Sequence, residues 1–121
     1  MIYNVYQWNE VNKLLVVTTE NIPNQEYETI SLVIGSMIQT VNFGKDIMNS
    51  LKTLVGGELT SYTKMMEEAR RIATNRMIEE AKKLNADAIV CVRYSSSQVM
   101  QGAAEVMAYG TAVRFNRKEE N

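Results

Sequence analysis

The chain has 121 residues, a mass of 13.7 kDa, 45% hydrophobic and 22% charged residues, which is one domain with enough apolar material for a core and the wrong composition for disorder. Thirteen basic and fourteen acidic side chains leave a formal charge of -1, so no strong field is available to gather a nucleic acid or an anionic membrane. Histidine is absent, which excludes every Ser-His, Cys-His and His-ligated metal mechanism. The single cysteine, Cys91, cannot form an internal disulfide. The opening residues lack a basic region and a sustained apolar stretch, and no apolar run approaches membrane-spanning length. The expectation is a soluble cytoplasmic protein.

Met1 to Lys13 reads as a polar and aromatic leader, suited to an added edge strand or a mobile end. Leu14 to Thr18 reads as a strand, and Asn21-Ile22-Pro23-Asn24 ends it with turn chemistry. Glu28 to Val41 reads as a long strand with Ile30, Leu32, Ile34 and Ile38 on one parity and Val33, Met37 and Val41 on the other. Gly35 at its middle is expected to mark a bend or bulge. Asn42 then caps a short helix carrying Phe43, Ile47, Met48, Leu51, Leu54 and Val55, which Gly56-Gly57 ends.

Ser61 caps a second, longer helix. Tyr62, Met65, Met66, Ala69, Ile72, Ala73, Met77, Ala81 and Leu84 recur at steps of three or four residues and so share one face. Glu67 to Arg71 and Glu79 to Lys83 are spaced for ion pairs on the other face. Asn85 supplies a left-handed cap. Asp87 to Tyr94 reads as a strand, with Ala88, Val90, Val92 and Tyr94 on one face and Ile89 and Cys91 on the other. Ser95 to Gly102 reads as a loop and Glu105 to Phe115 as the last strand. That strand has one small face, Val106, Ala108, Gly110 and Ala112, against which a helix can lie close. Its other face is large: Met107, Tyr109, Val113 and Phe115. Residues 14–115 thus form one domain, and residues 116–121 a solvated tail. The fold class is α+β, a β-β-α-α-β-β subunit with a mainly antiparallel sheet and helices on one face.

One layer of helices covers one face of a sheet, and a solvated opposite face should alternate to polar residues. Here both faces are apolar, so the second needs cover from the leader or from other copies of the chain. The expectation is a homo-oligomer whose interface uses Met107, Tyr109, Val113 and Phe115 or the edge strands. The alternative is a monomer whose leader folds back over the sheet.

The chemistry-bearing residues are sparse. Asp46 and Asp87 sit in no acid/base motif, and most glutamates belong to a solvated helix face. Glu105 opens an apolar strand and suits strand pairing or an interface. Cys91 lies among apolar neighbours and reads first as a small buried hydrophobe, with a thiolate ligand as the weaker reading. The eight methionines fall mostly on core stripes, although thioethers also bind soft metals. Gly56-Gly57 makes a tight turn without a phosphate-binding motif. Ser95, Ser96 and Ser97 have no activating base, and Tyr3, Tyr6 and Trp8 have no basic interleaving.

Leu54-Val55-Gly56-Gly57, Ser61-Tyr62, Ala69-Arg70, Ala81 to Val90 (AKKLNADAIV) and Tyr109-Gly110-Thr111-Ala112-Val113, with Val17-Thr18-Thr19 and Phe43 to Ile47 before them, resemble the YbjQ-like family of small bacterial proteins of uncharacterised function, labelled heavy-metal-binding. The resemblance runs from about Leu14 to Phe115. It implies an α+β subunit of a ring, a homopentamer assembled with the help of short strands, and supplies no catalytic residues. Arg93, Ser95 and Ser97 stand where the family often carries an acidic run, and Asn85 where it usually has glycine. The expected function is therefore a non-enzymatic, ring-forming binding protein with a metal ion as the named ligand and Cys91 as its one candidate donor. The alternative is a structural or protein-interaction module with neither metal nor catalysis.

Overall fold

The computed structural model describes residues 8–9, 14–40 and 60–117. The described elements are β1 (Trp8–Asn9), β2 (Leu14–Val16), β3 (Tyr27–Thr40), α1 (Thr60–Lys83), β4 (Ala88–Met100) and β5 (Ala103–Phe115). They form one sheet in the order β1-β2-β4-β5-β3. Three of the pairings are antiparallel, and β2 runs parallel to β4. The class is α+β as the sequence predicts, with a mixed sheet and one described helix. The short helix expected over Asn42 to Val55 and the Gly56-Gly57 turn lie outside the described residues, as do most of the leader and the end of the tail. Within the leader, Trp8 and Asn9 pair with Leu15 and Leu14 as an added strand.

α1 lies against one face of β3, β5 and β4. Ala69, Ala73, Met77 and Ala81 repeat every four residues along its contact stripe, and all are fully buried. They meet Val33, Val92, Val106, Ala108 and Ala112 from the sheet and Leu14 from β2. Ile78, absent from the predicted stripe, is buried as well, whereas Ile72 is half-buried and Leu84 is exposed. The difference is rotational: the flank carrying Ile78 packs into the core, while Ile72 lines the open groove between the helix and β3.

Gly35 sets that closeness. A Cβ built there would stand 2.1 Å from the Ala73 carbonyl oxygen and 2.2 Å from the Met77 nitrogen. The residue is not the expected bend or bulge; the register shift in β3 falls instead between Thr29 and Ser31. Gly35 is the point where helix backbone touches strand backbone.

The helix ends as predicted. Asn85 takes a left-handed φ of 57°, its N–H donates to the Lys82 carbonyl at 2.9 Å, and the Ala86 N–H donates to the Ala81 carbonyl at 3.1 Å. These are the two bonds of a Schellman cap. Arg114 donates to the Leu84 carbonyl, and the Asp87 carboxylate accepts from the Phe115 N–H at 2.9 Å, so the helix end is tied to the end of β5. The helix ion pairs sit one step off the predicted spacing: Glu68 with Arg71, Glu79 with Lys82 and Glu80 with Lys83, all exposed.

β4 differs from its prediction in two ways. It continues through Ser95 to Met100, where a loop was expected, and only Gln101-Gly102 turn the chain into β5, with Gly102 at a φ of 81°. The serine run has exposed polar side chains, so it carries no apolar alternation, yet the backbone ladder to β5 holds it extended. The register also shifts between Val90 and Arg93, with Cys91 at a left-handed φ of 56°. The shift swaps parity: Ala88 and Val90 face away from the helix, while Val92 returns to the helix-side core.

Three substitutions test this packing. Met77→Ala is expected to cost roughly 2–5 kcal/mol, with Ile72→Ala costing less because its side chain is only half-buried. Gly35→Ala should destabilise more than an ordinary overpacking change, which costs about 1–3 kcal/mol, because the clash is with helix backbone. Urea unfolding followed by circular dichroism measures all three.

Candidate interaction surface

The sheet face away from α1 divides into two halves. At its root, Ala88, Val90 and Val113 are buried under Leu15, Val17, Ile22, Tyr27, Cys91 and Phe115. The segment between β2 and β3 folds over this half. Its turn uses Pro23 followed by Asn24 at a φ of 60°, with the Gln25 N–H bonded to the Ile22 carbonyl at 3.1 Å, the geometry of a type II turn. The Tyr27 hydroxyl donates to the Glu20 carbonyl at 2.6 Å and fastens the flap. This source of cover was not anticipated from sequence, where the leader and other copies were the candidates.

Of the four residues expected at an interface, Val113 is fully buried within the chain and Phe115 packs beside it. Both are occupied by the chain's own flap. Met107 and Tyr109 lie on the other half and are half-buried.

That distal half is left open by the described residues. Leu32, Ile34 and Ile38 of β3 are 62%, 43% and 57% exposed. They alternate with Val33, Gly35 and Met37, which face the helix, so the same strand is apolar on both sides. Across β5, Ile34 pairs with Tyr109, Ser36 with Met107 and Ile38 with Glu105. Beyond them on β4 stand Arg93, Ser95 and Ser97. The result is a three-strand surface graded from aliphatic at β3 to hydroxyl-rich at β4. Arg93 closes its lower corner by donating to the Thr18 and Val92 carbonyls at 2.8 and 2.9 Å. Sequence reasoning named the β5 residues of this face and only the pattern of the β3 residues. Their exposure depends on which edge of the sheet β3 occupies, and no local signal carries that.

Between the outer margin of β3 and α1 runs an open groove of about 460 Å³, lined by Ile34, Ser36, Ile72, Asn75 and Arg76 among others. Arg76 donates to the Ser36 carbonyl at 2.7 Å.

Among the described residues no group of three or more Cys, Asp or Glu side chains stands where it could hold a metal ion. Cys91 is half-buried against the apolar cluster at the root of the sheet, so a metal there would have one soft donor and hydrocarbon neighbours. The described residues do not fit a metal centre. The resolved titration shifts belong to exposed helix ion pairs: the hydrogen bond from Arg71 holds the Glu68 carboxyl below its ordinary value and raises Arg71, and Glu80 raises Lys83 in the same way. No described charged side chain is buried.

Known proteins resemble this chain along nearly all of that architecture. A UPF0145 protein of Clostridium novyi is 61% identical over 102 residues, covering 84% of this chain and 99% of its own. One from Methanosarcina acetivorans is 53% identical over 103 residues, covering 84% and 97%. A crystal structure of a protein of unknown function in the DUF74 family, from Pediococcus pentosaceus, superposes with a TM-score of 0.59 at 17% identity, over 85% of this chain and 98% of that one; it shares the fold. The family model described as "Putative heavy-metal-binding" matches residues 14–116, and the chain belongs to that family, YbjQ.

Proposed function

We propose that the protein is a non-catalytic, self-assembling subunit, a ring-forming homo-oligomer in which the open half of the sheet meets other copies of the chain. The observation that carries this reading is the exposure of Leu32, Ile34 and Ile38 on a face whose other half the chain buries for itself. Fully burying a large aliphatic side chain contributes about 1.5–3 kcal/mol, and about half of each of these three is still exposed, so covering them, with Met107 and Tyr109 beside them, favours association. A pentamer is what the family resemblance implies for the size of that ring. Its partner is itself, since a formal charge of -1 offers nothing to nucleic acid or an anionic membrane. Among the described residues no helix is long and apolar enough to cross a membrane, and a lone thiol suits the cytoplasm.

The family description favours a second reading, a binding protein for heavy-metal ions. In that reading Cys91 is the soft donor, and the remaining ligands come from outside the described residues or from other copies.

Two measurements separate these readings. Light scattering at micromolar concentration should give about five times the chain mass; a monomer mass removes the assembly proposal. Equilibrium dialysis against Cu(I), Zn(II) and Cd(II) should retain no more metal than a control protein, and Cys91→Ser should change nothing. Stoichiometric retention lost in Cys91→Ser would establish the metal reading instead.

A further inference from the structure

The open half of the sheet carries one carboxylate. Glu105 stands on β5 between Ile38 of β3 and Ser97 of β4, on the face away from the helix. Among the described carboxylates only Glu105 and Asp87 are not exposed. Asp87 accepts a hydrogen bond from the Phe115 N–H at 2.9 Å, which favours its charged form. Glu105 has no such donor among the described residues, and the described ion pairs all lie on α1. None of its polar atoms is cut off from water in the single chain, so water is what solvates its charge.

The charged groups around it stand off. On the flanking strands, Thr29 to Thr40 and Tyr94 to Met100 contain no charge. Arg93 shares the face but is level with Tyr109, four residues along from Glu105, and its Nη1 donates to the Thr18 and Val92 carbonyls. From α1, Arg76 reaches the β3 margin and donates to the Ser36 carbonyl. Tyr109 is the other titratable side chain on this part of the face. Along β5 the nearest side chain on the same side as Glu105 is that of Met107.

Covering Leu32, Ile34 and Ile38 with another copy also takes the water from Glu105. A carboxylate stripped of water, with no cation or donor supplied, is held in its protonated form. We infer that Glu105 makes the self-assembly acid-sensitive: copies meet over its protonated form, so the assembly tightens as pH falls and loosens as pH rises. This rests on the self-assembly reading above and adds a control to it. Protonation is favoured in the assembly and the charge in the free chain, so the stabilisation is full at acid pH and is lost as pH rises through the point where the covered carboxyl ionises. Histidine, the ordinary sensor near neutral pH, is absent. The other described carboxylates are exposed or, at Asp87, already hydrogen-bonded, which leaves Glu105 as the described carboxylate placed to respond.

Light scattering of the full chain over a dilution series tests this. The concentration at half-assembly should rise about tenfold or more between about pH 6 and about pH 8. Glu105→Gln keeps the shape of the protonated acid, so it should lose this dependence and assemble at the higher pH as tightly as the parent does at the lower. Glu67→Gln makes the same charge change on the exposed side of α1 and should keep the parent's profile. Circular dichroism should show the parent's fold in both variants. An assembled parent with a flat profile, or a Glu105→Gln variant that follows the parent's profile, overturns the switch and leaves the self-assembly reading standing. Weaker assembly of Glu105→Gln at every pH means that a cation of the neighbouring copy holds the carboxylate charged, which also overturns it. A flat profile in Glu67→Gln assigns the dependence to net charge and has the same effect. A parent that scatters as a monomer at every pH overturns the self-assembly reading and the switch together.

Discussion

The contact of α1 with β3 at Gly35 is the constraint from which the rest of the structure follows. A helix can approach a sheet this closely only if both surfaces are bare, and the chain makes them so with Ala69, Ala73 and Ala81 on one side and Gly35, Ala108 and Ala112 on the other. Close approach buries Val33, Val92, Val106, Ala108 and Ala112 of one sheet face beside α1. It also fixes the parity of β3: once Gly35 must face the helix, Leu32, Ile34 and Ile38 must face away. The open surface is therefore a consequence of the core and not an independent ornament.

The second consequence runs through β5. Because this strand is central to the distal sheet, its small residues face the helix and its large ones face away, and the register of β3 and β4 is set from both its sides. The root of the large face is sealed by the chain itself through Ile22 and Tyr27. Its distal part has no such flap among the described residues. A domain with this division has one half that is a finished core and another that leaves large aliphatic side chains exposed.

Much of this was legible in the sequence because it is local. Helical spacing from Met65 to Ala81, the Asn85 cap, the small face of β5 and the Pro23-Asn24 turn each depend on a few neighbouring residues, and the structure places them as read. What escaped was set by tertiary contact. The serines at 95–97 look like a loop because their side chains face water on a strand held only by its backbone. The bulge at Cys91 leaves no mark in the sequence, yet it exchanges the faces of the β4 residues from Val92 to Gln98. Val113 reads as an exposed large residue until the flap from β2 to β3 is laid over it, a contact between segments about ninety residues apart. The candidate surface was half legible for the same reason: the β5 residues announce a large face, but the exposure of Leu32, Ile34 and Ile38 depends on β3 being outermost.

The distribution of charge draws these observations into one account. The described helix carries exposed acid–base pairs along its solvent side, at Glu68 with Arg71, Glu79 with Lys82 and Glu80 with Lys83. Such pairs contribute little to stability, but they keep a surface wet and unattractive to other copies. Thr29 to Thr40 of β3 and Tyr94 to Met100 of β4 contain no charged residue, and the charge at their margins comes from Arg76 of the helix, on the Ser36 carbonyl, and from Arg93 at the lower corner. Open strand margins are the part of a sheet most prone to unwanted pairing, and charge is the ordinary protection there. In a chain that also lacks histidine and buries none of its described charged groups, what the open half of this face offers is aliphatic contact beside serine hydroxyls, with charge held to the helix, the corners of the sheet and Glu105.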